Sequence, residues 1–383
     1  MDFGLTDEQE LLQQTARDFV KQSCPPEQAK KWDETGEFPT SLFTGMADLG
    51  WFGLPFPEED GGGGGGPMEL AVIAEELGRS SLDVAMCYIG SLIPALTVHR
   101  WANREQRARF LTSSMDGSSR FAVAISEPDS GSDAAALRTS ATLDGDHFTV
   151  NGQKMWCTGA GLPGTMIATY VRSGQAQPKH GGLSLLLIDP AAPGVEVRRT
   201  PTLARHILGT NEVFFTDVQV PRDNLIGPLD GGWQVMLSNL ELERVLMSGA
   251  YAGVAQATLD AALEYSKQRK QFGRSVGTFQ ALAHPMAELQ TEIDSARLLT
   301  YRAAWLLSHN KPCAREGAMA KLKGSETYVA AARLGMQVMA AHGFSTESIM
   351  SFRWRESIVA PISGGTSQIQ LNGIARSMGV RSY

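Results

Sequence analysis

The hydrophobic pattern changes its period twice along this chain of 383 residues. Residues 6–118 repeat apolar side chains at helical spacing, and residues 232–379 do so again in longer stretches. Between them, residues 120–228 alternate polar and apolar side chains, and the dipeptides Asp144-Gly145 and Asn151-Gly152 predict hairpin turns. This order predicts an α+β multi-domain fold. The predicted parts are an N-terminal helical domain at 1–119, a central β domain at 120–229 and a C-terminal four-helix bundle at 230–383.

Local signals refine the two helical blocks. Thr6 and Gln9 form a capping-box pattern that predicts the start of the first helix. A kink or break is predicted at Pro285, because proline removes one helical hydrogen bond. Six consecutive glycines at 61–66 predict a flexible surface loop. Three long helices are predicted in the C-terminal block, at 233–271, 279–307 and 316–341.

Charge and cysteine usage exclude several classes of function. The net charge of −7 argues against a nucleic-acid-binding surface, which needs concentrated Lys and Arg. Cys24, Cys87, Cys157 and Cys313 are widely separated, so neither a metal site nor a disulfide framework is predicted. Free thiols are typical of a reducing compartment. With no uninterrupted run of 18 apolar residues and no signal-peptide pattern at the start, we expect a cytoplasmic protein without a membrane span.

Two segments of the β block carry groups suited to a polar ligand. Residues 124–133 read A-I-S-E-P-D-S-G-S-D, with hydroxyls on a glycine-loosened backbone at a strand end. Residues 151–159 read N-G-Q-K-M-W-C-T-G and place a tryptophan and a threonine on one strand. Taken alone, the first segment is more typical of an ordinary polar turn. The second is also typical of a strand with a core tryptophan.

Three further segments lie in the C-terminal helical block. Residues 269–274 read R-K-Q-F-G-R at a predicted helix end, where a cation is favourable by itself and also suits a phosphate. Residues 337–343 read Q-V-M-A-A-H-G, and residues 362–370 read I-S-G-G-T-S-Q-I-Q.

Taken together and in this order, the five segments resemble motifs of the acyl-CoA dehydrogenases, and the resemblance covers essentially the whole chain. The family patterns are T-E-P-x-x-G-S-D, N-G-x-K-x-W-I-T, R-x-x-F-G, Q-x-x-G-G-x-G and Y-E-G-T-x-Q-I-Q. Ala340 and Ala341 replace two glycines of the fourth pattern, and Cys157 replaces an isoleucine of the second. The main departure is Gly364, which stands where many straight-chain members have the catalytic glutamate.

The resemblance implies an FAD cofactor lying between the β domain and the bundle. Trp156 would stack near the isoalloxazine, and Thr158 would bond flavin N5. Arg269 would meet the FAD pyrophosphate of a neighbouring subunit, which implies a homotetramer or at least a dimer. Ser132 would reach the pantetheine–phosphate part of the substrate. The FAD-binding residues implied in this way are Val123, Ile125, Ser126, Trp156, Thr158, Arg269, Phe272, Gln337, Thr366 and Gln368.

A second arrangement of the catalytic base is found in members that resemble isovaleryl-CoA dehydrogenase, where a helical L-E-R segment carries it. Residues 239–244 read N-L-E-L-E-R, so Glu243 matches the base and Arg244 its neighbouring arginine. Helical spacing places Glu243 on an apolar stripe, which predicts desolvation and a raised pKa. The alternative for Glu243 is a buried ion pair with an arginine. Glu241 lies on another helix face and is predicted to be a surface acid.

The implied activity is FAD-dependent α,β-dehydrogenation of an acyl-CoA to the trans-2-enoyl-CoA, with electrons passed to electron-transfer flavoprotein. Glu243 would remove the α-proton, and the backbone N–H of Gly364 would bind the thioester oxygen. Three alternatives remain open. The start of the chain and its S-G-G segment also resemble the crotonobetainyl-CoA reductase branch, which runs the reaction toward saturation. The substrate could instead be bound to a carrier protein, or the chain could be a non-catalytic flavin-fold binding protein.

Overall fold

The computed structural model describes residues 4–176 and 178–380. It confirms the predicted class, with helices in the N-terminal part, strands in the middle and helices in the C-terminal part. The first helices are α1 (Asp7–Ser23), α2 (Pro26–Thr35), α3 (Thr40–Asp48), α4 (Pro67–Ser80), α5 (Leu82–Trp101), α6 (Arg104–Phe110) and α7 (Thr112–Met115). The strands of the middle part are β1 (Arg120–Ala124), β2 (Ser140–Asp144), β3 (His147–Thr158), β4 (Thr165–Arg172), β5 (Leu183–Ile188), β6 (Val195–Thr200), β7 (Thr210–Pro221) and β8 (Leu225–Ile226), and a short antiparallel pair, β9 (Lys270–Gln271) and β10 (Arg274–Ser275), lies in the C-terminal part. The later helices are α8 (Gly232–Leu237), α9 (Leu240–Gln268), α10 (Gln280–Ser308), α11 (Ala314–Met339), α12 (Ala341–Phe344), α13 (Ile349–Ser357) and α14 (Ser367–Ser377).

The chain forms two compact units that do not follow the predicted domain order. The helical unit contains the residues up to Thr35, Gly65–Ala85 and the chain from Glu241 onward. The β unit contains Gly36–Gly64 and Met86–Leu240. The first 119 residues therefore contribute to both units. The domain boundaries at 119/120 and 229/230 stay predictions.

One twisted sheet is the centre of the β unit. Its strand order is β6-β7-β3-β2-β4-β5-β8, and β1 pairs in parallel with β4. The predicted Asp144-Gly145 turn is confirmed: Asp144 pairs with His147, and Gly145 has a φ of 58°. The sheet buries an apolar layer that includes Phe148, Val150, Ile167, Leu186 and Val213.

The prediction of a hairpin turn at Asn151-Gly152 is wrong. Both residues lie inside β3, at a bulge where its pairing with β7 shifts register. The Asn151 carboxamide exchanges hydrogen bonds with Asp217, accepting from its N–H at 2.8 Å and donating to Oδ1 at 3.0 Å. A Cβ on Gly152 would lie 2.7 Å from the Cα of Thr139, so the glycine serves close packing.

The helical unit is held together by small residues and one shared hydroxyl. The Ser248 hydroxyl on α9 lies 2.7 Å from the Thr300 hydroxyl on α10 and donates to the Ala320 carbonyl on α11 at 2.7 Å. Gly249 and Gly253 let the α9 backbone approach α4, because a Cβ at either position would collide with an α4 carbonyl. α14 packs on α11.

Three of the predicted helix features need correction. The stretch predicted at 233–271 is two helices, because Ser238 follows α8 and its hydroxyl donates to the Val235 carbonyl at 2.7 Å. The helix α10 continues through Pro285, so the predicted break is absent, while the predicted kink stays a prediction. Finally, α11 ends at Met339, since Ala340 has a φ of 50°. The capping box of Thr6 and Gln9 is confirmed.

The glycine run at 61–66 is a structured turn rather than a free linker. Its first four N–H groups donate to the carbonyls of Glu58, Pro57, Gly53 and Phe56, in that order, at 2.9 to 3.2 Å. A Cβ on Gly62 would collide with the Phe56 carbonyl. The prediction of a flexible loop overlooked this backbone packing, which is available only to residues without side chains.

Helix α5 is long and apolar enough to cross a membrane by length and composition. The sequence prediction did not identify it, because polar residues interrupt its apolar run. Most of the helix is buried inside the structure, as in the core helices of many proteins.

Candidate active site

In the β unit, the first two predicted motifs meet at the end of β1. The carbonyl of Ser126 accepts a hydrogen bond from the Met155 N–H at 2.8 Å, which joins the 125–133 loop to β3. Val123 and Ile125 are partly buried and pack on the apolar core of this unit. The structure therefore brings Ser126 next to Met155, the residue before Trp156. Ser132, farther along the loop, is exposed to solvent.

A buried ion pair fixes this loop, and sequence reasoning did not assign it. The Lys154 ammonium, fully buried, donates to Glu127 Oε1 at 2.8 Å and to the Ile125 carbonyl at 3.1 Å. Glu127 also accepts from the N–H groups of Arg138 and Thr139 at 2.6 and 2.8 Å. Burial alone would raise the pKa of Glu127, but Lys154 and these hydrogen bonds outweigh it and lower the pKa. The glutamate and lysine were visible in S-E-P and N-G-Q-K, but nothing in either motif shows that they touch.

Trp156 is turned outward by a bulge of β3. The pairing with β7 shifts register between Lys154 and Cys157, and Trp156 has a φ of 63° with 56% of its surface exposed. The hydroxyls of Ser126 and Thr158 hydrogen-bond to no residue in the part of the chain that the structure describes. An open indole face beside free hydroxyls suits a planar ring system with polar edges. These residues therefore fit the isoalloxazine of FAD.

In the helical unit, Glu243 lies on the first turn of α9 and is half-buried. Desolvation raises the pKa of this carboxyl above its ordinary value, and the nearby charges of Arg244 and Lys321 oppose the rise. Within residues 4–176 and 178–380, no cation lies within 4.0 Å of its oxygens, so the ion-pair alternative is not supported. Glu241 is half-buried near Gly317 rather than fully exposed, which corrects the prediction of a surface acid.

Arg244 is a second charged side chain of this region that is partly desolvated. Its Nε is buried and has no hydrogen-bond partner among the described residues. Burial lowers the pKa of the guanidinium, although Glu243 and Glu241 oppose the change. An orphan donor beside a half-buried carboxylate is the arrangement expected where a polar ligand completes a site.

The loop between α13 and α14 carries Gly364. Gly364 and Gly365 have φ values of 63° and 84°, a left-handed backbone that favours glycine. Gln370 Nε2 donates to the carbonyls of both residues, at 3.2 and 3.1 Å. The Gly364 N–H donates to no acceptor among the residues described, and a Cβ on Gly364 would meet nothing within 4 Å. This amide is free for a ligand, as the prediction for Gly364 requires.

The side chain of Lys321 supports the same loop from α11. Its ammonium is fully buried and donates to the carbonyls of Ala360 and Gly365 at 3.0 and 2.8 Å. Sequence reasoning did not identify Lys321. A signal was present, because Gly317, Lys321, Gly324 and Tyr328 form one helical stripe that is buried throughout.

Most of the remaining predicted cofactor residues are exposed. Phe272 is 92% exposed with a φ of 51°, and Arg269, Gln337 and Gln368 are exposed as well. Thr366 is the N-cap of α14, where its hydroxyl oxygen accepts from the Ile369 N–H at 3.2 Å. Its hydroxyl proton remains available to another acceptor. Their roles in binding FAD stay predictions.

The features of the two units define a class of protein. An outward tryptophan with free hydroxyls suits a flavin, and a desolvated carboxylate in the same unit as a free backbone amide suits removal of a carbon-bound proton. Sequence patterns of the acyl-CoA dehydrogenase N-terminal, middle and C-terminal domains match residues 6–118, 122–218 and 230–379.

Individual relatives are similar to this chain over nearly its full length. The probable acyl-CoA dehydrogenase YngJ of Bacillus subtilis is 35% identical over 99% of this chain and 100% of that protein. The caffeyl-CoA reductase-Etf complex subunit CarC of Acetobacterium woodii is 31% identical over 95% of this chain and 96% of that protein. The structure of butyryl-CoA dehydrogenase from Megasphaera elsdenii superimposes with a TM-score of 0.93 at 28% identity, covering 99% of this chain and 100% of that one.

The chain belongs to the acyl-CoA dehydrogenase family, and it is an FAD-dependent oxidoreductase. This confirms the resemblance, the fold class and the cofactor expected from the sequence.

Proposed function

We propose that the protein dehydrogenates an acyl-CoA thioester to the trans-2-enoyl-CoA and passes the electrons to electron-transfer flavoprotein. The observation that carries the proposal is the presence of Glu243 and Gly364 in the same helical unit. Glu243 is a half-buried carboxylate without an ion-pair partner, and the Gly364 N–H is a donor without an acceptor. A base and an oxyanion donor are the two groups that removal of a proton beside a thioester needs.

Each residue has one part in the proposed reaction. The Gly364 N–H donates to the thioester carbonyl oxygen and stabilises the enolate-like charge that develops there. The Glu243 carboxylate takes the α-proton, and Arg244 helps to hold the base and the thioester region. FAD, when bound, supplies a hydride acceptor at its flavin N5. Trp156 and Thr158 orient the ring system, while Val123, Ile125 and Ser126 line its edge.

The redox partner and the direction of the reaction are inferred from the relatives. CarC is named as a subunit of a reductase–Etf complex, which supports electron-transfer flavoprotein as the redox partner. The same name shows that this fold also hosts reductases, so reduction of an enoyl-CoA is the second candidate function. A non-catalytic binding protein is disfavoured, because the chain has both Glu243 and the residues that fit a flavin.

We propose a homotetramer in the cytoplasm. The helical unit exposes large apolar side chains that a monomer would normally cover, including Phe272, Phe344, Met378 and Ile362. Arg269 is exposed at the end of α9, where it can reach the FAD of a neighbouring subunit. All four cysteines are buried, and none of them forms a disulfide, as expected in a reducing compartment.

Turnover of a panel of acyl-CoAs with an artificial electron acceptor tests the proposed function. We expect formation of the trans-2-enoyl product, and anaerobic bleaching of the flavin by at least one acyl-CoA. The same acyl groups loaded on a carrier protein should react more slowly than the free CoA thioesters. If no acyl-CoA bleaches the flavin, and no enoyl-CoA reoxidises the reduced protein, the proposed function is wrong.

Gly364 leads to a prediction about substrate shape. Because the space at its Cβ position is open, we propose that branched acyl chains are accepted. Gly364→Leu should lower kcat/KM for isovaleryl- and isobutyryl-CoA more than for butyryl- and octanoyl-CoA, by about 10–200-fold. Gly364→Ala is the matched control, since it imposes the same cost of a positive φ without the bulk. If leucine lowers kcat/KM equally for all four substrates, Gly364 serves backbone geometry and not pocket volume.

A further inference from the structure

Lys321 is a buried cation that the proposed reaction does not yet use. It is fully buried on α11, and no carboxylate in the described part of the chain lies within 4.0 Å of its ammonium. Burying a charge without a counter-ion costs free energy, so other interactions of the ammonium must offset its desolvation. Its two acceptors are neutral carbonyls, those of Ala360 and Gly365.

Those two carbonyls enclose the segment that contains Gly364. Two consecutive glycines leave the backbone of this segment free to rotate, so its peptide groups need external restraints. Lys321 fixes the segment at both ends. Gln370 donates to the Gly364 carbonyl inside the segment and also to the Gly365 carbonyl at its end. The Gly364 N–H is left without an acceptor. The contacts of Lys321, together with those of Gln370, therefore restrain the segment that carries this free amide.

The charge of Lys321 also acts on the base. The ionisable groups that influence it are Glu243 and Arg244 on α9 and Glu326 on α11, and the loop at 358–366 carries none. Burial lowers the pKa of Lys321 to about 8, with Arg244 adding to the change and Glu326 and Glu243 opposing it. The ammonium in turn lowers the pKa of Glu243 and partly offsets its desolvation.

We propose that Lys321 is a positioning residue for the α-proton abstraction: its ammonium holds the 360–365 loop so that the Gly364 N–H meets the thioester oxygen, and its charge stabilises the enolate that forms there. This inference rests on the proposed function. It adds to that function a cation that acts through the loop and makes no contact with the substrate.

Acetoacetyl-CoA is a direct probe, because its acidic α-carbon forms an enolate that absorbs in the near ultraviolet without any turnover. The pKa of the bound ligand should rise by at least one unit in Lys321→Met, which is about a tenfold loss of enolate at a fixed pH. Lys323→Met is the matched control, since Lys323 lies on the same helix and pairs at the surface with Glu292. It should leave the pKa of the bound ligand unchanged. FAD content and thermal midpoint would show that each variant is folded.

The pH profile gives a second test with a variant that keeps the charge. In the wild type, kcat/KM should fall as the pH rises through about 8, because Lys321 loses its proton there. Lys321→Arg should abolish this fall, since a guanidinium stays protonated. An enolate pKa in Lys321→Met equal to that of the wild type, or an unchanged fall in Lys321→Arg, overturns the inference. Failure of the wild type to bind acetoacetyl-CoA overturns the proposed function as well.

Discussion

Replacing Glu243 with glutamine should lower kcat by about 10²–10⁴-fold, because a positioned general base contributes that much to the rate. The substitution keeps the shape of the side chain and removes its ability to take a proton. FAD content and the Kd for an acyl-CoA should stay close to those of the wild type. Stopped-flow measurement of flavin bleaching isolates the chemical step from release of the product.

Glu241→Gln is the matched control for this prediction. Glu241 lies two residues away on the same helix and is also half-buried. Its replacement should leave kcat within about a factor of three, since surface or half-buried charges without a role in chemistry have small effects. The opposite pattern in the two variants would show that the other carboxylate is the base.

The protonation of Glu243 makes activity and stability respond oppositely to pH. Its pKa in the folded protein is raised above the ordinary value of 4.5, mainly by desolvation. Activity needs the carboxylate, so kcat should rise with pH through this raised pKa. The stability that a neutral Glu243 provides is complete at low pH and is lost as the pH rises through the same pKa. Glu243→Gln should therefore be at least as stable as the wild type at neutral pH.

The sequence predicted the fold class because the change of hydrophobic period is strong over long stretches. It failed where a short signal has two structural meanings. Asn-Gly is favoured both in hairpin turns and at bulges, and only the contact of Asn151 with Asp217 distinguishes the two. The run of glycines likewise indicates a linker by composition, while the hydrogen bonds of residues 61–64 make it a packed turn.

For the candidate site as well, some features were predictable from the sequence and others were not. Helical spacing was enough to place Glu243 on an apolar stripe and to predict the direction of its pKa shift. The contacts of Lys321 and Lys154 could not be predicted, because each joins segments about 30 to 45 residues apart in the chain. A buried lysine is recognisable from sequence only as an interruption of an apolar stripe. The acceptors of its hydrogen bonds depend on the tertiary fold.

Replacing Lys154 with methionine should give the largest loss of stability among the substitutions considered. It would leave the Glu127 carboxylate, only 8% exposed, without its counter-ion, and breaking a buried pair in this way costs about 3–5 kcal/mol. The free energy of unfolding can be compared through the denaturant midpoint. The ammonium also holds the Ile125 carbonyl at 3.1 Å, so the variant should lose FAD more readily on dialysis.

Lys179→Met is the control that isolates the effect of burial on the free energy of unfolding. Lys179 pairs with Asp133 at 2.7 Å, close to the 2.8 Å of the buried pair. Both side chains of the Lys179–Asp133 pair are more than half exposed. Its loss should cost no more than about 1 kcal/mol, because water screens exposed pairs. Equal losses in the two lysine variants would show that Lys154 contributes only its packing and that the charge of Glu127 is compensated by other groups.

A second substitution and the pH dependence separate charge from packing. Adding Glu127→Gln to Lys154→Met should restore part of the stability, since the uncompensated charge is removed while a carbonyl oxygen remains for the N–H groups of Arg138 and Thr139. In the wild type, the lowered pKa of Glu127 means that its stabilisation is present above about pH 4.5 and is lost as the pH falls through the folded pKa. In Lys154→Met the carboxyl should protonate at a higher pH than in the wild type, so acidification toward pH 5 should narrow the difference between the two proteins. A difference that stays constant between pH 5 and pH 8 would contradict the assignment of the loss to the Glu127 charge.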